Sequence, residues 1–160
     1  MADSCSNSRT DTAPCVGCGL CCDGTIYWRA DAQPGEEERL TDAGLEVIKE
    51  GDKQWFVHPC CFSKDGLCTI YDQQRFNVCH TFRCKLLKAY QRGEVSLEQT
   101  RETVEKAVAL RTELTAENPA ARLWTERNKL RRELETTRER PSLLLKIAVL
   151  DYYLDQWFRE

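Results

Sequence analysis

Apolar side chains follow two different rhythms along this chain. From about residue 82 onward they recur every three or four positions, the spacing that lines one face of a helix. Leu86, Leu87 and Tyr90 share such a face, and Gly93 is placed to stop it. Ser96 and Gln99 form a capping-box pair that opens a helix turning Leu97, Val104, Ala107, Val108, Leu110 and Leu114 toward a partner. Asn118-Pro119 joins a capping side chain to a proline suited to the first helical position. The helix it predicts runs to about Arg140 and carries Leu123, Trp124, Leu130 and Leu134. Its other faces hold the opposite-charge pairs Arg122/Glu126 and Lys129/Glu133, four residues apart. Pro141-Ser142 restarts a last helix, in which Leu143, Ile147, Leu150, Leu154 and Trp157 keep the helical period. Flanking positions are apolar too, so this is expected to be the most buried helix.

Before residue 82 the pattern is broken into short pieces. Residues 1–14 are polar and predict a disordered tail. Residues 25–28 are β-branched and aromatic, as is the Trp55-Phe56-Val57 run, and each predicts a short strand. Between them, residues 33–38 read as a loop and residues 40–50 as a short helix ending at Gly51.

Composition changes this picture at one residue type. Of 160 residues ten are cysteine, and all ten lie in the first 84 positions. Charged residues make up 31% and there is no apolar run of the roughly eighteen residues a membrane span needs, so a soluble chain is expected and no membrane association. Residues 1–6 have neither a basic start nor an apolar stretch, which argues against a secretion signal and for the cytoplasm. The net charge of −3 gives no general attraction to nucleic acid, and none is expected as a partner.

The cysteines are clustered. Cys15-Val-Gly-Cys18-Gly-Leu-Cys21-Cys22 repeats a two-residue spacing twice, with glycines that let tight turns close around an ion. The adjacent Cys21 and Cys22 point apart and suit two different ions, or two corners of one cluster. Cys60, Cys68, Cys79 and Cys84 supply enough further sulfurs for two four-coordinate sites. A disulfide framework suits a small secreted chain better than a cytosolic one, and unbound structural thiols account for Cys5 and Cys61 but not for eight clustered cysteines. Eight thiolates (−8) around two divalent ions (+4) take the chain from −3 to −7, so basic neighbours would help; even so Arg75, Arg83 and Lys85 read most simply as solvated surface charges. His58 and His80 are spare ligand candidates, His58 the better because Cys60 and Cys61 are beside it, although eight cysteines already satisfy two ions. Tyr71 and Phe82 read as packing around the metals, and Trp28 and Trp55 as cover for the module. There is no phosphate-cradling glycine loop, nucleophile elbow or histidine-rich hydrolytic zinc motif, and no catalytic residue is assigned.

These residues resemble the cysteine-cluster family named after its C-x-x-C-x-x-C-C motif, a zinc- or iron-chelating domain of YkgJ-like proteins. The resemblance rests on residues 15–22, on Cys60-Cys-Phe62, on Gly66-Leu-Cys68-Thr-Ile-Tyr71 and on the segment from Arg75 through Cys79 to Cys84. Phe76 stands where the family usually has proline, and His80 where arginine is common. The resemblance implies metal chelation. A flagellin lysine methylase carries a related cluster, which leaves open an accessory or protein-modifying enzyme.

The expectation is therefore an α-rich chain. A small irregular metal-binding module with few short strands (residues 15–84) follows the tail, and three or four C-terminal helices (residues 85–160) pack on it. Thiolates bind zinc and also build iron–sulfur clusters. The Cys15, Cys18, Cys21 spacing resembles the ferredoxin run, but Cys22 follows Cys21 where ferredoxins commonly have proline, so zinc is preferred over iron. A structural or interaction role comes first. An iron–sulfur redox protein and metal storage or delivery are the alternatives. The helices read first as a plain scaffold with solvated charged faces; a protein partner through the helical half, on the long helix around residues 127–138, is the alternative.

Overall fold

The computed structural model describes residues 13–160. Cys5 and most of the expected tail lie outside them. Chain order gives β1 (Arg29–Asp31), α1 (Glu37–Asp42), β2 (Val47–Glu50), β3 (Lys53–Val57), β4 (Ser63–Lys64), β5 (Leu67–Cys68) and α2 (Asn77–Thr81). Four helices complete it: α3 (Lys85–Gln91), α4 (Leu97–Glu117), α5 (Trp124–Thr137) and α6 (Pro141–Trp157). The chain is thus α-rich with a few short strands, and its C-terminal part is helical.

Strands β1, β3 and β2 form an antiparallel sheet in that order, with Arg29 opposite Val57 and Ile48 opposite Trp55. The helix expected over residues 40–50 is two elements instead. Gly44, at φ +80°, ends α1: its N–H donates to Thr41 and the next N–H, on Leu45, donates back to Leu40. That paired closure is favoured when glycine sits just past a helix and apolar groups, here Leu40 and Leu45, meet across it. The β-branched Val47 and Ile48 then pair with β3, and Gly51 sits in the turn between β2 and β3. The strand expected over residues 25–28 is a bend. Asp23 accepts from the Thr25 N–H, and the Thr25 carbonyl is taken by a guanidinium, so this backbone has partners other than a ladder.

In the helical half Ser96 and Gln99 form the capping box that opens α4. Asn118-Pro119 starts only a 3-10 turn, Pro119–Arg122, and makes no side-chain cap. Helix α5 begins at Trp124, whose N–H donates to the Gly24 carbonyl at 2.8 Å, so contact with the cysteine-rich half sets its start. Helix α6 buries Leu143, Ile147, Leu150 and Leu154 as the period requires, but the next core position is Phe158 and not Trp157, which is 37% exposed. Its flanking Leu145, Val149 and Tyr152 also face outward.

Two apolar clusters result. One, from Ala32, Leu40, Leu45, Phe56 and Phe76, lies within the cysteine-rich half. The larger one joins the helices to Leu20 and Ile26 of that half. Polar clamps reinforce the junction. Arg127, fully buried, donates to Asp151 of α6 at 3.0 Å, to the Ala121 and Arg122 carbonyls, and to the Thr25 carbonyl at 2.7 Å. Arg159 bonds Asp151 and the Ile26 carbonyl, and Arg111 pairs with Asp23. A buried guanidinium is tolerated because its donors meet a carboxylate and carbonyls. Arg127 therefore belongs to the interior and not to a solvated interaction face. Among the described residues, no helix is long and apolar enough to cross a membrane.

Candidate metal centre

The eight sulfurs singled out from the sequence come from five places. Cys15 ends a 3-10 turn, Ala13–Cys15, and the chain from Val16 to Cys22 runs through turns in which Gly17 and Gly19 hold φ of +86° and +64°. Cys60 is tied to this run by its N–H, which donates to the Cys22 carbonyl at 2.7 Å. Cys68 ends the β4–β5 hairpin, whose two-residue turn, Asp65-Gly66, has positive φ at both positions, the geometry that matches the twist of paired strands. Cys79 lies in α2, and Cys84 is the N-cap of α3, its sulfur accepting from the Leu87 N–H at 3.4 Å.

Close backbone contact brings the hairpin onto the cysteine run. A Cβ on Gly66 would lie 2.6 Å from the Gly17 carbonyl oxygen, and one on Gly19 would lie 2.6 Å from the Gly66 Cα. Only glycine fits at either position. At the other side Glu36 holds α2: one carboxylate oxygen accepts from the Asn77 N–H at 2.8 Å and the other from the Gln33 N–H. Glu36 lies 41 residues from Asn77, and nothing in the sequence pattern marks the link.

The strongest charged neighbours of the raised thiols sort the cysteines into two sets of four, with Cys22 acting on Cys21 and Cys18 on Cys22 across the sets. Burial pushes Cys15 up to about 11, and the next influence is Cys84. Burial likewise lifts Cys18 to about 12, with Cys15 and Cys84 adding to it. Cys21 is driven well up by burial and then by Cys84, Cys18, Cys22 and Cys15. These three and Cys84 make the first group. Burial raises Cys22, and its strongest charged neighbours are Cys60, Cys79 and Cys68. Burial pushes Cys60 up to about 11, and Cys61, Cys79 and Cys68 add to it. Cys79, also raised by burial, feels Cys68. Cys22, Cys60, Cys68 and Cys79 make the second group, so the adjacent Cys21 and Cys22 fall on opposite sides of the division.

The donor chemistry fits a thiophilic cation. Nine cysteines are described and all nine are free thiols. Seven of them, Cys61 and Cys68 apart, are crowded sulfurs with raised pKa values, an arrangement that holds until a cation reverses the sign of the local field. Backbone hydrogen bonds already favour the thiolate form at several: at Leu20 for Cys18, Phe62 for Cys60, Phe76 for Cys79, and Leu87 and Leu86 for Cys84. Closed coordination is another matter, since no three His, Cys, Asp or Glu side chains among the described residues are arranged to hold an ion. Seven of the eight thiols, all but Cys60, line one cavity of about 590 Å³, walled on its far side by apolar groups that include Leu86, Val104 and Phe158.

The spare candidates lie elsewhere. The His58 ring packs edge-on against Phe56, is pushed down to about 4 by burial, and is hydrogen-bonded to the Cys22 backbone, with Nδ1 buried and unpaired. His80 is exposed beside Arg75, and Cys61 is exposed with its thiol donating to the Ala43 carbonyl. Phe82 is 38% exposed and meets Tyr27 edge-on. Trp28 and Trp55 flank the Arg29 guanidinium at 4.6 and 3.7 Å. Arg75, read from the sequence as a solvated charge, is half-buried among the cysteines and stacked 4.2 Å over the Tyr71 ring. Comparison of the chain with protein-family models, curated proteins and solved structures finds no match.

Proposed function

We propose that the chain binds a thiophilic metal, zinc in preference to iron, in two four-thiolate groups, with a structural or interaction role. The first group is Cys15, Cys18, Cys21 and Cys84; the second is Cys22, Cys60, Cys68 and Cys79. The observation that carries this reading is the convergence of thiols from separate elements, seven of the eight lining one cavity. Cys15 and Cys84, 69 positions apart, both line it. Four is the number a tetrahedral structural site needs. The resemblance of residues 15–84 to a metal-chelating cysteine-cluster family points the same way, and free thiols as ligands suit a reducing compartment such as the cytoplasm.

Metal content of single and paired Cys→Ser variants tests it. Cys18→Ser and Cys84→Ser are expected to abolish the same equivalent, so their double variant loses no more than either alone. Cys18→Ser with Cys68→Ser is expected to lose both equivalents. Equal, graded losses at every cysteine would contradict two separate groups.

A second reading is an iron–sulfur redox protein. The cavity leaves room for it, since the seven thiols share about 590 Å³ with eighteen other lining residues. Visible absorption bleached reversibly by dithionite is its expected mark, against the spectral silence of zinc. Under either reading the helical half, residues 85–160, is the surface available to a protein partner.

A further inference from the structure

Arg75 stands apart from the other basic residues near the thiols. It lines the cavity together with Cys15, Cys18, Cys21 and Cys84 of one group and Cys22, Cys68 and Cys79 of the other. Its Nε is buried and has no hydrogen-bond partner, while its guanidinium plane is held against Tyr71 at 4.2 Å and one terminal nitrogen lies 3.5 Å from His80 Nδ1. The side chain is thus fixed in place with one donor unspent. Arg83 and Lys88 do not line the cavity, and Arg101, which does, is exposed.

We propose that Arg75 is a positioning residue that couples the two four-cysteine groups, its guanidinium offsetting the charge that both accumulate when they hold metal. This rests on the metal-binding reading above. Four thiolates around a divalent ion leave a charge of −2, so filling one group repels the anionic form of the other. A fixed guanidinium beside both cuts that repulsion, and an Nε–H with no partner is a donor for a thiolate sulfur, the kind of outer contact that tunes metal affinity. Removing it penalises the second ion to bind more than the first.

The test is an anaerobic titration of the reduced full chain with Co(II) and then Zn(II) against a competing chelator. The wild type is expected to take up two equivalents with similar affinity. Arg75→Gln is expected to keep the first and to weaken the second roughly tenfold, with the gap narrowing as salt is raised. Arg75→Lys, which keeps a cation, is expected to restore most of the second equivalent, whereas Arg83→Gln is not expected to separate the two. If Arg75→Gln does not fold by circular dichroism, Tyr71→Leu, which releases the guanidinium, is expected to weaken the second equivalent selectively. Unchanged affinities, or an equal fall at both equivalents, would overturn the coupling while leaving metal binding in place. A wild type that takes up no metal would overturn the metal reading and the coupling with it.

Discussion

Helices α4, α5 and α6 bury Ala107, Leu114, Leu134, Leu143, Ile147, Leu150 and Leu154, spaced a turn or two apart within α4 and α6, with charge crowding the outer faces of α4 and α5. Residues 15–84 use strands of two to five residues and an internal cluster of five buried apolar side chains, and they place eight thiols where a larger core would otherwise stand. The helical half has the continuous apolar face from which helices draw most of their stability. The cysteine-rich half does not, and its cohesion comes from close glycine contacts, from side-chain bonds to backbone, and from arginines reaching over from the helices. A segment of that kind is where metal ligation changes most, because ion binding and folding then share one free energy.

Metal removal should separate the two halves most sharply. Chelation of the loaded protein is expected to collapse the near-UV signal of Trp28, Trp55 and Tyr71 while leaving most of the far-UV helical signal, given binding free energies on the order of 10 kcal/mol for structural zinc. Loss of both signals in parallel would erase the distinction. Arg127→Met comes next, since it leaves Asp151 with Arg159 alone and strands the carbonyls of Ala121, Arg122 and Thr25. The expected cost is about 3–5 kcal/mol in urea unfolding, and a cost under about 1 kcal/mol would remove Arg127 as the clamp between the halves. Gly66→Ala acts inside the cysteine-rich half, where a Cβ meets backbone at 2.6 Å. It is expected to cost about 1–3 kcal/mol and to speed metal release, with hydrogen exchange in α4 and α6 unchanged. Ser96→Ala touches the helical half alone. About 1 kcal/mol should be lost from its capping box with no change in metal affinity.

What could be read from the sequence follows the same division. The capping box at Ser96, the stop at Gly93 and the buried period of α6 were legible because each depends on residues within a few positions of one another. Residues 40–50 misled because Leu40, Ala43, Val47 and Ile48 keep a helical spacing. The closure at Gly44 and the pairing of Val47 and Ile48 with β3 override it, and only the second needs a distant strand. Trp124 as the start of α5 was not legible, since the Gly24 carbonyl that receives its N–H is 100 residues away. Clustering in the sequence picks out eight cysteines, seven of which line one cavity; that Cys84 comes to the same cavity as Cys15 was not legible, because the two are 69 positions apart. Arg75 carried no mark beyond lying between Tyr71 and Cys79. Its burial, and with it the difference from a solvated arginine, comes from the fold.

Metal content bears on the central claim most directly. Chain purified without oxygen under mild reduction, with its ions counted by elemental analysis beside a circular dichroism spectrum, is expected to carry at least two metal ions per folded molecule. Folded, monodisperse protein with all its thiols free and less than a tenth of an equivalent of metal (about the scatter of such counts, set against sites that bind with free energies on the order of 10 kcal/mol) would contradict it.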